Sequence, residues 1–298
     1  MSLGAEFDAN DLEARLRTHV RTLAASPRVP GTAEHAQAAA YVREHLLQAG
    51  LEVSDDPFSD GAQRGVNIRA RLPSDATELP LLIVGAHYDS IPGSPGADDN
   101  ASAVAALLEI ARSLSSRPAA AVPAARLELI AYDLEEYGLV GSRRHALEVR
   151  ANHLALRGMI SLEMLGYTDQ RPGSQNLPPM LAQLYPNVGN FIGVCANERS
   201  HELMESVTAL LKTMPGLPVE SLAVPGNGEL IPDVRRSDHS SFWDVGLPAL
   251  MITDTSFFRN PHYHKESDRP ETLDYPFLAR VCAGAFKAIN ALTRAPGR

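Results

Sequence analysis

Two cysteines in 298 residues are too few for a disulfide framework or a thiolate metal site. Cys195 and Cys282 are therefore expected to be ordinary free thiols. Positive charge is also short: 27 Lys and Arg stand against 36 Asp and Glu, a net charge of −9. A surface of that sign matches neither nucleic acid nor anionic membranes, so neither is expected as a partner. No apolar run reaches the length a bilayer requires. The opening "MSLGAEFDANDLEARL" lacks the basic-then-apolar signature of an export signal. The expectation is a soluble chain, cytoplasmic by default, or secreted or periplasmic where a leader has been trimmed. The sequence has no internal repeat, no low-complexity linker and no feature that specifies an oligomeric state.

What is present is the composition of a globular protein with a large core, 44% hydrophobic and 21% charged. Leu12, Leu16, Val20 and Leu23 recur at helical spacing, predicting a helix over 11–25. A second is predicted over 33–49, stopped by Gly50. "RGVNIRARL" at 64–72 alternates like a half-buried strand, whereas "PLLIVGAH" at 80–87 is continuously apolar, as in a strand buried on both faces. Further strands are predicted over 126–133, 158–164 and 248–254. Helices fit after Asn100, which is a candidate cap, and near 141–150, 200–213 and 275–293. Alternating strands and helices predict a single α/β domain, residues 1–298, with a central, mostly parallel mixed sheet flanked by helices. Residues 1–10 are expected to be flexible. Residues 165–199, rich in Pro, Gly, Asn and Gln, are expected to form a loop excursion shaping a pocket.

The strand ends share a chemistry. The first buried strand ends in His87, Tyr88 and Asp89, with Asp98 and Asp99 in the following loop. The second, "IAYDLEEYG", ends in Asp133, Glu135 and Glu136; the third ends in Glu163. After the last comes "NPHYHKESD" with His262 and His264. Ligands in open α/β sheets bind outside the carboxyl ends of the strands. That many acids in one cleft are strongly unfavourable without cations among them. Imidazole and carboxylate donors without thiolate suit zinc or another divalent ion in a catalytic site. More than four donors suggest two ions with a bridging carboxylate, an arrangement suited to peptide hydrolysis. A lone histidine is ordinarily a surface or core residue, and His35, His45, His145, His153 and His201 are assigned there.

"GAHYDS", "PGADDNASA", "DLEEYGLVGS", "SLEMLGY", "SDHSSF" and "YHKESDRPETLDY" occur in this order. The chain thereby resembles the bacterial leucyl aminopeptidase family of dizinc exopeptidases, from about residue 12 to 293. Glutamate carboxypeptidase II, the glutaminyl cyclases and the transferrin receptor ectodomain are relatives of that family. The resemblance implies a zinc-exopeptidase (phosphorylase/hydrolase-like) architecture and two zinc ions. It implies His87 and Glu163 as ligands of one ion, Glu136 and His264 of the other, and Asp99 as the bridge. Glu163 departs from the aspartate common at its position, which leaves the number of oxygens it offers open. His262 is the competing candidate for His264. Asp89 would orient His87, Glu135 would be the general base, and Tyr263 would donate to the oxyanion. A cis peptide is implied at Asp99–Asn100. Met164 and Tyr167 are candidates for the first substrate subsite, and His239 for a place just behind the ligands. The activity implied is metal-dependent removal of N-terminal amino acids from a peptide with a free N-terminus. Two alternatives stand beside it: a one-zinc glutaminyl cyclase, and a non-catalytic binding domain like the receptor relatives.

Overall fold

The computed structural model describes residues 8–72, 78–115 and 123–295. The N-terminal half supplies α1 (Ala9–Leu23), α2 (Ala33–Gln48), β1 (Glu52–Asp60), β2 (Gln63–Arg71), β3 (Leu81–His87), α3 (Ala103–Ser115) and β4 (Arg126–Tyr132). There follow α4 (Val140–Ala151), β5 (Leu156–Glu163), the short α5 (Pro179–Ala182), β6 (Ile192–Asn197), α6 (His201–Leu211) and β7 (Val219–Val224). The chain closes with α7 (His239–Asp244), β8 (Ala249–Thr253) and α8 (Tyr275–Leu292). Among the described residues the strands form one mixed sheet in the order β1-β2-β4-β3-β5-β8-β6-β7. β2 meets β1 and β4 antiparallel, and β6 meets β8 antiparallel; the other neighbours are parallel.

The layers follow from strand periodicity. In β3, Leu82 and Val84 pack into a core with α1, α2, α3, α6 and α8, while Leu81 and Ile83 pack with α4 and α7 on the opposite face. Both faces are covered, so every residue of β3 is buried. The helix starts are set locally. The Asp8 carboxylate accepts the amides of Asn10 and Asp11, and the Thr32 hydroxyl accepts that of His35. Of the segment expected to be flexible, residues 1–7 lie outside the described residues, and Ala9 and Asn10 belong to α1.

Three expectations need correction. The excursion beginning at 165 ends at Phe191, because 192–197 form β6, which pairs on both sides. β1 and β7 are further strands that the hydrophobic pattern did not predict. β1 is an edge strand with only Phe58 buried and with Pro57 within it. Asn100 does not cap α3. Its side chain donates to the Leu162 carbonyl and accepts from the Met164 amide, tying the α3 approach to the end of β5. Both cysteines are free and buried. No described helix is long and apolar enough to cross a membrane.

One buried ion network holds the antiparallel flank. Glu128 on β4 is fully buried between Arg69 and Arg71, with His145 Nε2 3.1 Å away. Burial alone would raise its carboxyl, but hydrogen-bonded His145 and the two guanidinia hold it down at about 2. A folded-state value below the unfolded one, about 4.3, adds stability above that pH and loses it on acidification. Glu128→Gln is therefore expected to lower Tm at pH 7 and to flatten its decline between about pH 4.5 and 2. Thermal melts across that range check it; parallel curves for the two proteins contradict it.

Candidate metal centre

β3 lies between β4 and β5, and all three run parallel, so their carboxyl ends open on one edge of the sheet. His87 is the last residue of β3 and Glu163 the last of β5. Glu135 and Glu136 stand on the turn after β4, entered and left through the left-handed residues Leu134 and Leu139. Asp99 comes from the segment that leads into α3, where the Asp99–Asn100 peptide is cis. Gly96 precedes it with φ +63°; a Cβ there would lie 2.2 Å from the Asp99 carbonyl oxygen, so this close approach requires glycine. His264 arrives on the loop after β8, also with positive φ.

These side chains form two clusters sharing Asp99. His87 Nε2 lies 3.3 Å from Asp99 Oδ1 and 3.5 Å from Glu163 Oε1. His264 Nε2 lies 3.1 Å from Asp99 Oδ2 and 3.0 Å from Glu136 Oε2. Asp99 thus gives one oxygen to each. A tetrahedral ion about 2.0–2.2 Å from its donors holds them roughly 3.3–3.6 Å apart, close to these spacings. His264 Nε2 is buried and makes no hydrogen bond despite the two adjacent carboxylates, which suits a lone pair directed at a cation. The donor set and its spacing therefore fit two divalent ions. Of the Glu163 oxygens, Oε1 faces His87, while the Ser237 hydroxyl donates to Oε2 at 2.8 Å.

Glu135 belongs to neither cluster. Its Oε2 is 3.9 Å from His87 Nε2, and the residue lines the cleft. The adjacent glutamates therefore serve opposite sides. Burial pushes the Glu135 carboxyl well up, reinforced by Glu163 and Asp238 against the pull of His87. Burial and the Asp99 charge push Glu136 up to about 7. His87 is also raised: burial would lower it, but the surrounding Glu135 and Glu163 carboxylates prevail. Asp89 accepts the backbone amides of both Glu135 and Glu136, and its Oδ1 is 3.5 Å from His87 Nδ1. It therefore braces the glutamate turn and places a carboxylate beside the imidazole. Tyr263 stacks on His264 at 3.8 Å and lines the cleft, and Arg236 donates to its hydroxyl at 3.3 Å. Burial raises the Tyr263 hydroxyl, so it stays a proton donor.

Other predicted residues lie elsewhere. Asp98 turns away from the clusters, accepting from the Gly166 amide and Asn260. His262 faces Ser267 and the Tyr167 ring. Met164 is fully buried, with its side chain absent from the cleft wall, and Tyr167 does not line the cleft either. The left-handed backbone at Met164 and its amide bond to Asn100 turn the chain inward at that point. His239 is buried against Trp243, with Nε2 on the Val234 carbonyl. Its neighbour Ser237 donates to Glu163 in its place, and the buried Asp238 lies within the field of His87 and Glu163. His35, His45, His145, His153 and His201 stay outside both clusters, as expected. Reasoning from sequence missed Arg28, a buried guanidinium donating to the carbonyls of Leu23, Tyr88, Pro95 and Gly96. It also missed Asp268, which accepts the amides of Asp98 and Asp99. Arg28 stands at no strand end, and Asp268 closes "NPHYHKESD", where the two histidines carried the signal.

A model of peptidase family M28 matches residues 67–289, the span that carries both donor clusters and Glu135. The chain belongs to that family. This M28 chain is 38% identical over 261 residues to the uncharacterized protein YfbL of Escherichia coli, covering 83% of this chain and 77% of YfbL. It is 26% identical to a probable leucine aminopeptidase of Arthroderma otae, over 77% of this chain and 58% of that protein. Its fold is that of BSAP, a zinc aminopeptidase from Bacillus subtilis, with TM-score 0.73 and 16% identity over 100% of this chain and 98% of that one. Family membership makes peptides the substrate class, and M28 peptidases are typically zinc-dependent.

Proposed function

We propose that this chain hydrolyses the first peptide bond of substrates with a free N-terminus, at a centre holding two zinc ions. The observation that carries the reading is Asp99 giving one oxygen to each of two donor clusters, with Glu135 beside them and outside both. His87 and Glu163 would hold one zinc, and Glu136 and His264 the other. Bound zinc would supply Lewis-acid polarisation of the scissile carbonyl and a lowered pKa for water.

The remaining steps belong to the protein. The acidic cluster draws the substrate's α-amine to one end of the cleft. Glu135, buried and with a raised pKa, takes the proton of the attacking water and delivers it to the leaving amine. Tyr263 donates its hydroxyl proton to the developing oxyanion; Arg236 already fills a lone pair of that hydroxyl and orients it. Asp89 keeps His87 and the glutamate turn in register. The A. otae relative that carries the name probable leucine aminopeptidase supports the same reading.

The test is a set of aminoacyl-anilides, their N-acetylated forms and N-terminal glutaminyl peptides, each assayed with and without zinc. Zinc-dependent release of anilide from the free-amine forms alone is the expected result. Ring closure of glutaminyl peptides without anilide release would assign the site to a cyclase.

A further inference from the structure

The register of the sheet shows what lies beyond the metal ligands. Glu163 of β5 pairs with Thr253 of β8, Thr253 with Gly193 of β6, and Gly193 with Glu220 of β7. These residues form one row across four strands. Two positions along, Met251, Cys195 and Leu222 form a second row on the same face. Both rows line a cleft enclosing about 970 Å³ of empty space, counted out to its open mouth. The floor therefore runs from the ligand Glu163 to the carboxylate Glu220 over three inter-strand spacings, about 14 Å between backbones.

The trough between those ends is open and mostly apolar. Gly193 projects no side chain into it, and even a Cβ there would touch nothing closer than 3.3 Å. Leu181, Phe191, Leu222 and Met251 supply apolar wall. Glu220, half-buried at the far end, has no hydrogen bond or ion pair from its carboxylate among the described residues. The cation on the described cleft wall, Arg236, is engaged elsewhere: it bonds the Tyr263 hydroxyl, lies 3.8 Å from Asp233 and sits over the Phe257 ring. A carboxylate left unpaired at the end of an apolar trough is a partner for an incoming cation.

We propose that Glu220 selects substrates whose N-terminal residue is lysine or arginine. This rests on the aminopeptidase reading above and adds the side-chain class. A lysine or arginine side chain spans about 6–7 Å from Cα to its charged head. Side chains stand out from the pleat, so the Glu163 and Glu220 carboxylates rise at the two ends of the roughly 14 Å floor and a substrate side chain of that length lies between them. The methylenes of the substrate lie along the apolar wall, and its head group reaches Glu220. A leucine side chain ends over Gly193 and leaves Glu220 unpaired.

The experiment compares kcat/KM for arginyl-, lysyl-, leucyl- and methionyl-anilides on the zinc-loaded protein and on Glu220→Gln and Glu220→Asp. The unaltered protein is expected to prefer arginyl and lysyl substrates. Glu220→Gln should lower the arginyl-to-leucyl ratio ten-fold or more, and Glu220→Asp should retain part of it. Hydrolysis with the same ratio in the unaltered protein and Glu220→Gln overturns this inference alone. No hydrolysis of any anilide overturns the aminopeptidase reading and this inference with it.

Discussion

Replacing Glu135 by glutamine is expected to cut turnover roughly 10³-fold while the variant keeps its fold and its metal. The two shapes are nearly identical, so packing is preserved. Neither donor cluster includes Glu135, so metal content should match the unaltered protein. What is lost is a carboxylate able to accept a proton 3.9 Å from His87, at the cleft edge of the site. Glu136→Gln is the informative contrast. It alters a donor 3.0 Å from His264 Nε2 and should lower metal content together with activity. Kinetics and elemental analysis on both variants separate the roles. Near-normal turnover in Glu135→Gln, or its loss of metal, would show that the glutamates have been assigned the wrong way round.

Stripping the metal is expected to lower Tm by several degrees at pH 8 and by less at pH 5. The linkage term alone is about 2.7 kcal/mol for an ion present at a hundred times its Kd. In a chain of this size each kcal/mol moves Tm by roughly 2–4 °C. The pH dependence follows from the metal-free chain. Glu136 is raised to about 7, so the folded chain binds more protons than the unfolded one, and stability falls as pH rises from about 4.5 to 7. His264 is raised to about 9: burial would lower it, but its contacts with Asp99 and Glu136 prevail. That stabilisation is full below about 6.5 and is lost as pH rises through 9. Both slopes have the same sign. Zinc needs these donors deprotonated, so it should bind better as pH rises and remove the slope. Melting curves of chelated and zinc-loaded protein between pH 5 and 9 check this. Curves that stay equally spaced across that range contradict it.

Much of the parallel centre of the sheet was legible in the sequence. β3, β4, β5 and β8 are apolar runs buried on both faces, and such runs need no partner to be recognised. β6 and β7 are different. "IGVCAN" has Gly193 on the cleft floor and a polar end, and β7 is an edge strand whose middle residues stay partly exposed. Their strand character comes from pairing with β8 and with each other, which no local pattern displays. The site divides in the same way. His87, Asp99, Glu135, Glu136, Glu163 and His264 stand at strand ends or in motifs of the family, and the structure brings them together. Met164 looked like a pocket residue because it follows a strand end, yet its backbone turns the side chain into the core. His239 is the imidazole of its motif, while Ser237 carries the contact toward the donor clusters, through Glu163. Glu220 was invisible in sequence, since its place in the cleft depends on register across four strands.

The most direct test is stepwise zinc reconstitution of the chelated protein, with metal content and hydrolysis of an unblocked aminoacyl-anilide measured on the same samples. Two clusters sharing Asp99 predict that hydrolysis reaches its maximum at two zinc ions per chain and that N-acetylated substrate remains intact. Full hydrolysis at one zinc per chain, or protein that holds two zinc ions and cleaves no unblocked substrate, would contradict the account.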